Sequence, residues 1–216
     1  MESDNYQMFC KELDEVIKVF PNLSIKEKDN RKFVKGVLDI YNDDSLVVGS
    51  YLIEIHFKLG FPFRFPKLFE TGGAIPNEAD WHKYLDTSCC ITVLPDEILK
   101  CKAKIGVVEF IKKYCCSFFA NHIHRKSTGE YLNGYYSHGS QGYREFYNEL
   151  LKTTDISVWV QYYKHVFNSA IFSTDRNSKC FCKSGSKFKH CHKLIFDCMW
   201  EIGKEQIYSD FKSILT

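Results

Sequence analysis

The sequence predicts an α+β fold on three observations. An amphipathic helical period occupies the opening segment, two runs of strand-like alternation are separated by a polar turn, and helical periodicity returns over much of the second half.

Residues 4 to 20 place Met8, Leu13, Val16, Ile17 and Phe20 at helical spacing, with Asp4 as N-cap and Pro21 as stop, which predicts an N-terminal amphipathic helix. From Lys32 to Ile40 and from Leu46 to Phe57 the period becomes two: Tyr51, Ile53, Ile55 and Phe57 alternate with Leu52, Glu54 and His56. Asn42-Asp43-Asp44 makes the turn between them. A turn at Gly60-Phe61-Pro62 leads into Lys67 to Glu70, and Pro62, Pro66 and Pro76 keep this region extended and off the centre of a sheet. Three consecutive strands with short turns form an antiparallel meander. A long central helix is predicted over 105 to 122, with Val108, Ile111, Tyr114, Cys115, Phe118 and Phe119 at helical spacing. Beyond a Gly/Tyr/His segment, residues 143 to 151 turn helical. Asp155 caps a helix with Ile156, Trp159, Tyr163, Val166 and Phe167 on one face, and a last helix holds Ile195, Cys198, Met199 and Ile202. The expected division is a main domain over 1–172 and a small cysteine knuckle with its helix over 173–216.

With 216 residues, 44% of them apolar, 18 Phe and 13 Tyr, the chain can bury a sizeable core and lacks the composition of disorder. A net charge of +2 makes no general electrostatic case for direct binding to nucleic acid or a membrane. No apolar run approaches the roughly 18 residues that span a bilayer, and the opening MESDNYQMFCKELDE is acidic where a secretion signal is basic. The expectation is a cytoplasmic protein. In a reducing compartment its ten cysteines divide into reactive thiols, metal ligands and inert core residues.

Cys180-X-Cys182, then eight intervening residues, then Cys191-His192, supplies four soft or borderline ligands within a short stretch, with Gly185 allowing the chain to reverse between the pairs. Tetrahedral zinc takes such a set, and Lys179, Lys183, Lys187 and Lys189 would offset three thiolates. The stretch CFCKSGSKFKHCH also resembles the SEC-C motif, a short zinc-binding module, which implies a structural zinc on Cys180, Cys182, Cys191 and His192.

Cys89 and Cys90 admit more than one reading, because a free cysteine is a common core residue. His82 lies just upstream in a polar loop, and Asp86-Thr87-Ser88 implies a solvent-accessible approach. A thiol beside a histidine and exposed amides is an activated nucleophile. Adjacent side chains in an extended segment point to opposite sides, so one of the two faces solvent and the other packs. A vicinal pair could instead serve as a thiol redox sensor. Cys115-Cys116, inside an apolar helical run, reads as core.

The N-terminal helix, the meander, Gly60-Phe61-Pro62-Phe63-Arg64-Phe65-Pro66, His82 and Ser88-Cys89-Cys90-Ile91 together resemble the ubiquitin-conjugating (UBC) enzymes over about residues 4 to 170. Phe61-Pro62-Phe63 is similar to that family's Tyr-Pro-Phe element, His82 to the histidine of its His-Pro-Asn triplet, and Ser88-Cys89-Cys90-Ile91 to the catalytic-cysteine sequence. The resemblance implies a UBC-like fold in which Cys90 carries an acyl group as a thioester, His82 orients the thiol or acts as base, and Cys89 lies beside them. No asparagine follows His82 two positions later, where the family uses one to support the oxyanion. The doubled cysteine and the missing asparagine resemble instead the bacterial branch of antiviral operons, above all the stand-alone conjugating protein of short type II CBASS systems. That implies a covalent partner, a cGAS-like nucleotidyltransferase joined through its C-terminus. Gly129-Glu130, Ser137-His138-Gly139 and Tyr143-Arg144-Glu145-Phe146 also resemble segments of those proteins; from its glycine, Ser137-His138-Gly139 reads equally as an ordered turn. The alternative is a UBC-fold scaffold with vestigial cysteines that holds and regulates the nucleotidyltransferase.

Overall fold

A computed structural model describes residues 2–131, 135–167 and 175–216. The chain is mixed α and β and packs as two compact units, one of residues 1–92 and 100–135, the other of 93–99 and 136–216. The division expected at 172/173 lies outside the described residues.

The first unit begins with helix α1 (Glu2–Val19). Asp4 lies within this helix, not at its cap. Its buried face is Phe9, Leu13 and Val16, while Met8, assigned to that face from its spacing, is exposed; Phe9, one position on, takes its place. Four antiparallel strands follow in the order β1 (Leu23–Lys28), β2 (Arg31–Tyr41), β3 (Val47–His56), β4 (Lys67–Glu70). The sequence predicts the last three. Strand β1, Leu-Ser-Ile-Lys-Glu-Lys, has too few apolar residues to announce itself and is held by pairing along β2, from Leu23 opposite Gly36 to Lys28 opposite Arg31. Between β2 and β3 the Asn42 carboxamide accepts the amides of Asp44 and Leu46, which closes the predicted turn. Val34 opposite Ile55 and Leu38 opposite Tyr51 put one side of the sheet inward, whereas Val37 opposite Leu52 faces out.

After helix α2 (Leu94–Cys101), the central helix α3 spans 107–128: α-helical Val107–Phe110 and Cys116–Thr128 are joined by π-helical Ile111–Cys115. It runs six residues beyond the predicted end. Ile111, Cys115, Phe118 and Phe119 are buried as expected, together with Val107 and Phe110, and the Phe119 ring stacks on Tyr51 of β3 at 4.2 Å. Phe61 and Phe65 are buried, with Phe61 edge-on to Phe9 at 5.7 Å, so the Pro/Phe-rich turn joins this core.

The second unit holds helices α4 (Gly139–Leu151), α5 (Ile156–Phe167), α6 (Lys193–Ile202) and α7 (Lys204–Leu215). Asp155 caps α5 as predicted, accepting the Ser157 amide at 2.8 Å. The final helix α7 was not expected, and α4 starts four residues before its predicted start. Ser137 supplies that start: its amide and hydroxyl both donate to the Glu145 carboxylate at 2.7 Å, which gives Ser137-His138-Gly139 the role of helix entry. The core of this unit gathers Phe146, Tyr147, Trp159, Met199, Ile207 and Phe211.

Candidate functional site

The two cysteines of the loop are separated by the backbone itself. The Ser88–Cys90 segment lies along the edge of β4, where Phe69 bridges to Ser88 and the Cys89 amide donates to the Leu68 carbonyl at 2.8 Å. The Cys90 amide then donates to the carbonyl of His82, also at 2.8 Å. In this extended stretch alternate side chains diverge. Cys89 packs against the core under the sheet, and burial pushes its thiol up to about 12. Cys90 Sγ lies within 4.8 Å of a ring nitrogen of His82. The structure therefore brings together Cys90 and His82 and turns Cys89 away. Helix α2 starts at Leu94, and the Cys90 thiol points toward the Thr92 carbonyl, 4.0 Å away.

His82 closes the short 3-10 turn Ala79–Trp81 in a left-handed conformation, φ 50° and ψ 38°, and is only 6% exposed. A non-glycine residue holds that backbone only where its surroundings determine it. Two groups of contacts do so here.

Below it is a buried ion pair: Lys83 Nζ bonds the Glu70 carboxylate and donates to the Ile75 carbonyl at 3.0 Å, with both side chains almost completely enclosed. Glu70 in turn accepts the amides of Ala74 and Ile75, so every charge is met. The loop tip is fixed by Asp86, which pairs with Lys67 at 2.9 Å and accepts from the Ser88 hydroxyl and amide; Lys67 and Ser88 hold its carboxyl down to about 2.

Above it is the far end of α3. The Arg125 guanidinium carbon lies 4.1 Å from the Trp81 ring centre and 4.7 Å from that of Tyr131, and Arg125 donates to the Asp80 carbonyl and to the Tyr131 hydroxyl. Tyr135 tilts over the His82 ring at 4.7 Å, its hydroxyl bonded to the Asn121 side chain. His122 is wholly buried between Trp81, Phe118 and Tyr131, and among the described residues neither of its nitrogens has a hydrogen-bond partner. Burial, together with the charges of His82, Arg125, Lys126 and Lys83, holds its imidazole down to about 3. Sequence reading finds none of Lys83, Glu70, Asn121, His122, Arg125, Tyr131 or Tyr135. The one available signal is that Phe118, Asn121, His122 and Arg125 share a helical face.

In the second unit Cys180, Cys182, Cys191 and His192 converge so that their ligand atoms all lie within 4.8 Å of one another, a group that could hold a metal ion. A tight reversal makes this possible. The Cys180 amide donates to the Ser186 carbonyl at 2.8 Å, Lys183 and Gly185 adopt left-handed backbone, and Cys191 and His192 arrive at the head of α6. Cys180 Sγ is 3.2 Å and Cys191 Sγ 3.1 Å from His192 Nδ1, and Cys182 Sγ is 3.5 Å from Cys191 Sγ. Donors about 2.0–2.3 Å from a tetrahedral ion are roughly 3.5–3.8 Å apart, so these three contacts would need to open by only a few tenths of an ångström. The remaining nitrogen, His192 Nε2, shares a 2.6 Å hydrogen bond with Tyr162 of α5.

Comparison of the chain with protein-family models, curated proteins and solved structures returns no match.

Proposed function

We propose that this chain is a UBC-like acyl transferase in which Cys90 carries, as a thioester, the C-terminal carboxyl group of a partner protein, a cGAS-like nucleotidyltransferase of a bacterial anti-phage system. The observation that carries the reading is the sorting of the cysteines: Cys90 is beside His82, while Cys89, though half-buried like Cys90, packs against the core and its thiol is pushed away from ionisation. The order of α1, an antiparallel meander and a thiol loop ahead of the helices agrees with a UBC-like fold.

The chemistry needs a donor acyl group already activated by another protein. The Cys90 thiolate attacks its carbonyl carbon, the donor's leaving group departs with its electron pair, and His82 takes the thiol proton. An acceptor amine then attacks the thioester and gives up one proton to solvent as the amide forms, while Cys90 leaves with the C–S electron pair as thiolate and takes back the proton held by His82, restoring the enzyme. The family's asparagine has no counterpart two residues after His82, where Tyr84 stands half-exposed.

The Cys/His group is read as a structural zinc site on Cys180, Cys182, Cys191 and His192. With Nδ1 on the metal, the Nε2–H of His192 would donate to Tyr162, the kind of outer hydrogen bond that fixes a ligand ring. All four positions are filled by protein, so no step of the reaction is assigned to it.

Intact mass spectrometry of the protein coexpressed with the nucleotidyltransferase tests this reading. The expected adduct is lost on thiol treatment and absent in Cys90→Ala, but retained at least in part in Cys89→Ala. An adduct that survives Cys90→Ala and vanishes in Cys89→Ala reverses the assignment. A wild-type protein that binds the nucleotidyltransferase and never forms an adduct is the scaffold of the alternative reading.

A further inference from the structure

Arg125 holds the turn that carries His82 at two places. Its guanidinium is sandwiched between the Trp81 and Tyr131 rings, 4.1 Å and 4.7 Å from their centres, and donates to the carbonyl of Asp80. The Tyr131 hydroxyl reaches the same carbonyl, at 3.2 Å, and receives an Arg125 hydrogen bond at 2.7 Å. Three consecutive residues, Asp80, Trp81 and His82, are thus fixed from the end of α3 and the segment after it: the first by hydrogen bonds from Arg125 and Tyr131, the second by the Arg125 cation over its face, the third by the Tyr135 ring. His82 then transmits this position by its carbonyl, which accepts the Cys90 amide at 2.8 Å.

A surface salt bridge would make a poor lever, since exposed pairs contribute little. Arg125 differs, because its partners are two aromatic faces and a main-chain carbonyl, and the fork geometry of a guanidinium is what lets one side chain meet all three. Beside it His122 fills the space under Trp81 as a neutral ring, which keeps a second positive charge out of the clamp.

We propose that Arg125 is the positioning residue of the thiol site: by clamping Asp80 and Trp81 it fixes the left-handed His82, and through the His82 carbonyl and ring it sets the reactivity of Cys90. The inference rests on the reading of Cys90 and His82 as a reactive pair. It assigns Arg125 no contact with the reacting atoms.

The test follows alkylation of Cys90 by iodoacetamide as a function of pH, read by fragment-ion mass spectrometry that places the label on Cys90 and not on the adjacent Cys89 of the same peptide. In the wild type the midpoint should lie below that of an ordinary thiol. Arg125→Met keeps an aliphatic stem between the rings and removes the fork; it should raise the midpoint by about one pH unit and slow alkylation at pH 7 by about tenfold. His82→Ala should do the same, and adding Arg125→Met to it should change nothing further, because the two act in series. Leu13→Ala, in α1, should lower stability and leave the midpoint where it was, which separates positioning from general loosening. Should Arg125→Met fail to fold, Trp81→Leu removes the opposite half of the clamp and decides in its place. A wild-type midpoint in whichever clamp variant folds, or an Arg125 effect that adds in full to that of His82→Ala, overturns the proposal. An ordinary midpoint in the wild type itself would sink the reactive-pair reading and the Arg125 inference with it, and the wild-type curve alone reveals that case.

Discussion

Three buried residues near the loop, Lys83, Glu70 and His122, set measurable limits on this protein. Lys83 and Glu70 form an enclosed ion pair whose remaining polar atoms are met by main chain, and removing one partner strands the other charge in the interior. Lys83→Met should therefore destabilise the fold by about 3 to 5 kcal/mol in denaturant melts. A loss under about 1 kcal/mol would mean that water reaches Glu70. His122 has the opposite character, a base kept neutral by burial. Its imidazole is at about 3 in the fold against 6.5 unfolded, so the folded state disfavours the proton. The stability gained from neutral His122 is complete above pH 6.5 and falls as the pH drops toward 3, by about 1.4 kcal/mol per unit. His122→Phe should flatten that part of the stability curve relative to wild type. Parallel curves from pH 6.5 to 4 would show that the ring is solvated. Sequence singled out the loop thiol and His82 but not their surroundings. A cysteine next to a polar loop carries a chemical signal of its own, whereas Lys83 one residue after His82 reads as a solvated lysine until the chain folds Glu70 under it.

At the scale of elements, periodicity located the helices and strands with a dense apolar stripe and missed those without one. The alternation of Tyr51, Ile53 and Ile55 was sufficient for β3, while β1, mostly polar, exists because β2 offers it a hydrogen-bonding edge. The beginning of α4 was hidden for a related reason: it depends on Glu145 reaching back to Ser137, a side-chain contact eight residues apart that no helical period encodes. Gly142 in that first turn shows which effect wins. Replacing a glycine inside a helix by alanine ordinarily stabilises by about 0.5 to 1 kcal/mol. Here an added Cβ would stand 1.8 Å from the Ser137 carbonyl oxygen and 3.1 Å from Val93, so the helix entry must move. Gly142→Ala should cost about 1 to 3 kcal/mol, the range of overpacked sites. A thermal melt showing stabilisation would mean that the entry gives way freely.

For the whole molecule, the two units should respond differently to chelation. The Cys/His group lies in the second, between the reversal at 180–187 and the head of α6, with Tyr162 of α5 on its histidine. Removing a bound ion should loosen α5 and α6, seen as faster amide exchange there, and leave exchange in the β2–β3 ladder unchanged. Metal analysis giving no zinc in the purified protein would end this reading. The cysteine spacing made the group legible from sequence; the Tyr162 hydrogen bond was not, because thirty positions separate tyrosine from histidine.

The interleaving of the two units has a consequence during synthesis. Residues 93–99 belong to the second unit but leave the ribosome before 100–135, which completes the first. Their apolar members, Val93, Ile98 and Leu99, pack with side chains that lie mostly beyond residue 136. At about 5–20 residues per second these partners arrive on the order of ten seconds later. For that interval a nascent chain with its sheet already formed carries an uncovered apolar segment just after the cysteine loop, a natural point of engagement for a chaperone.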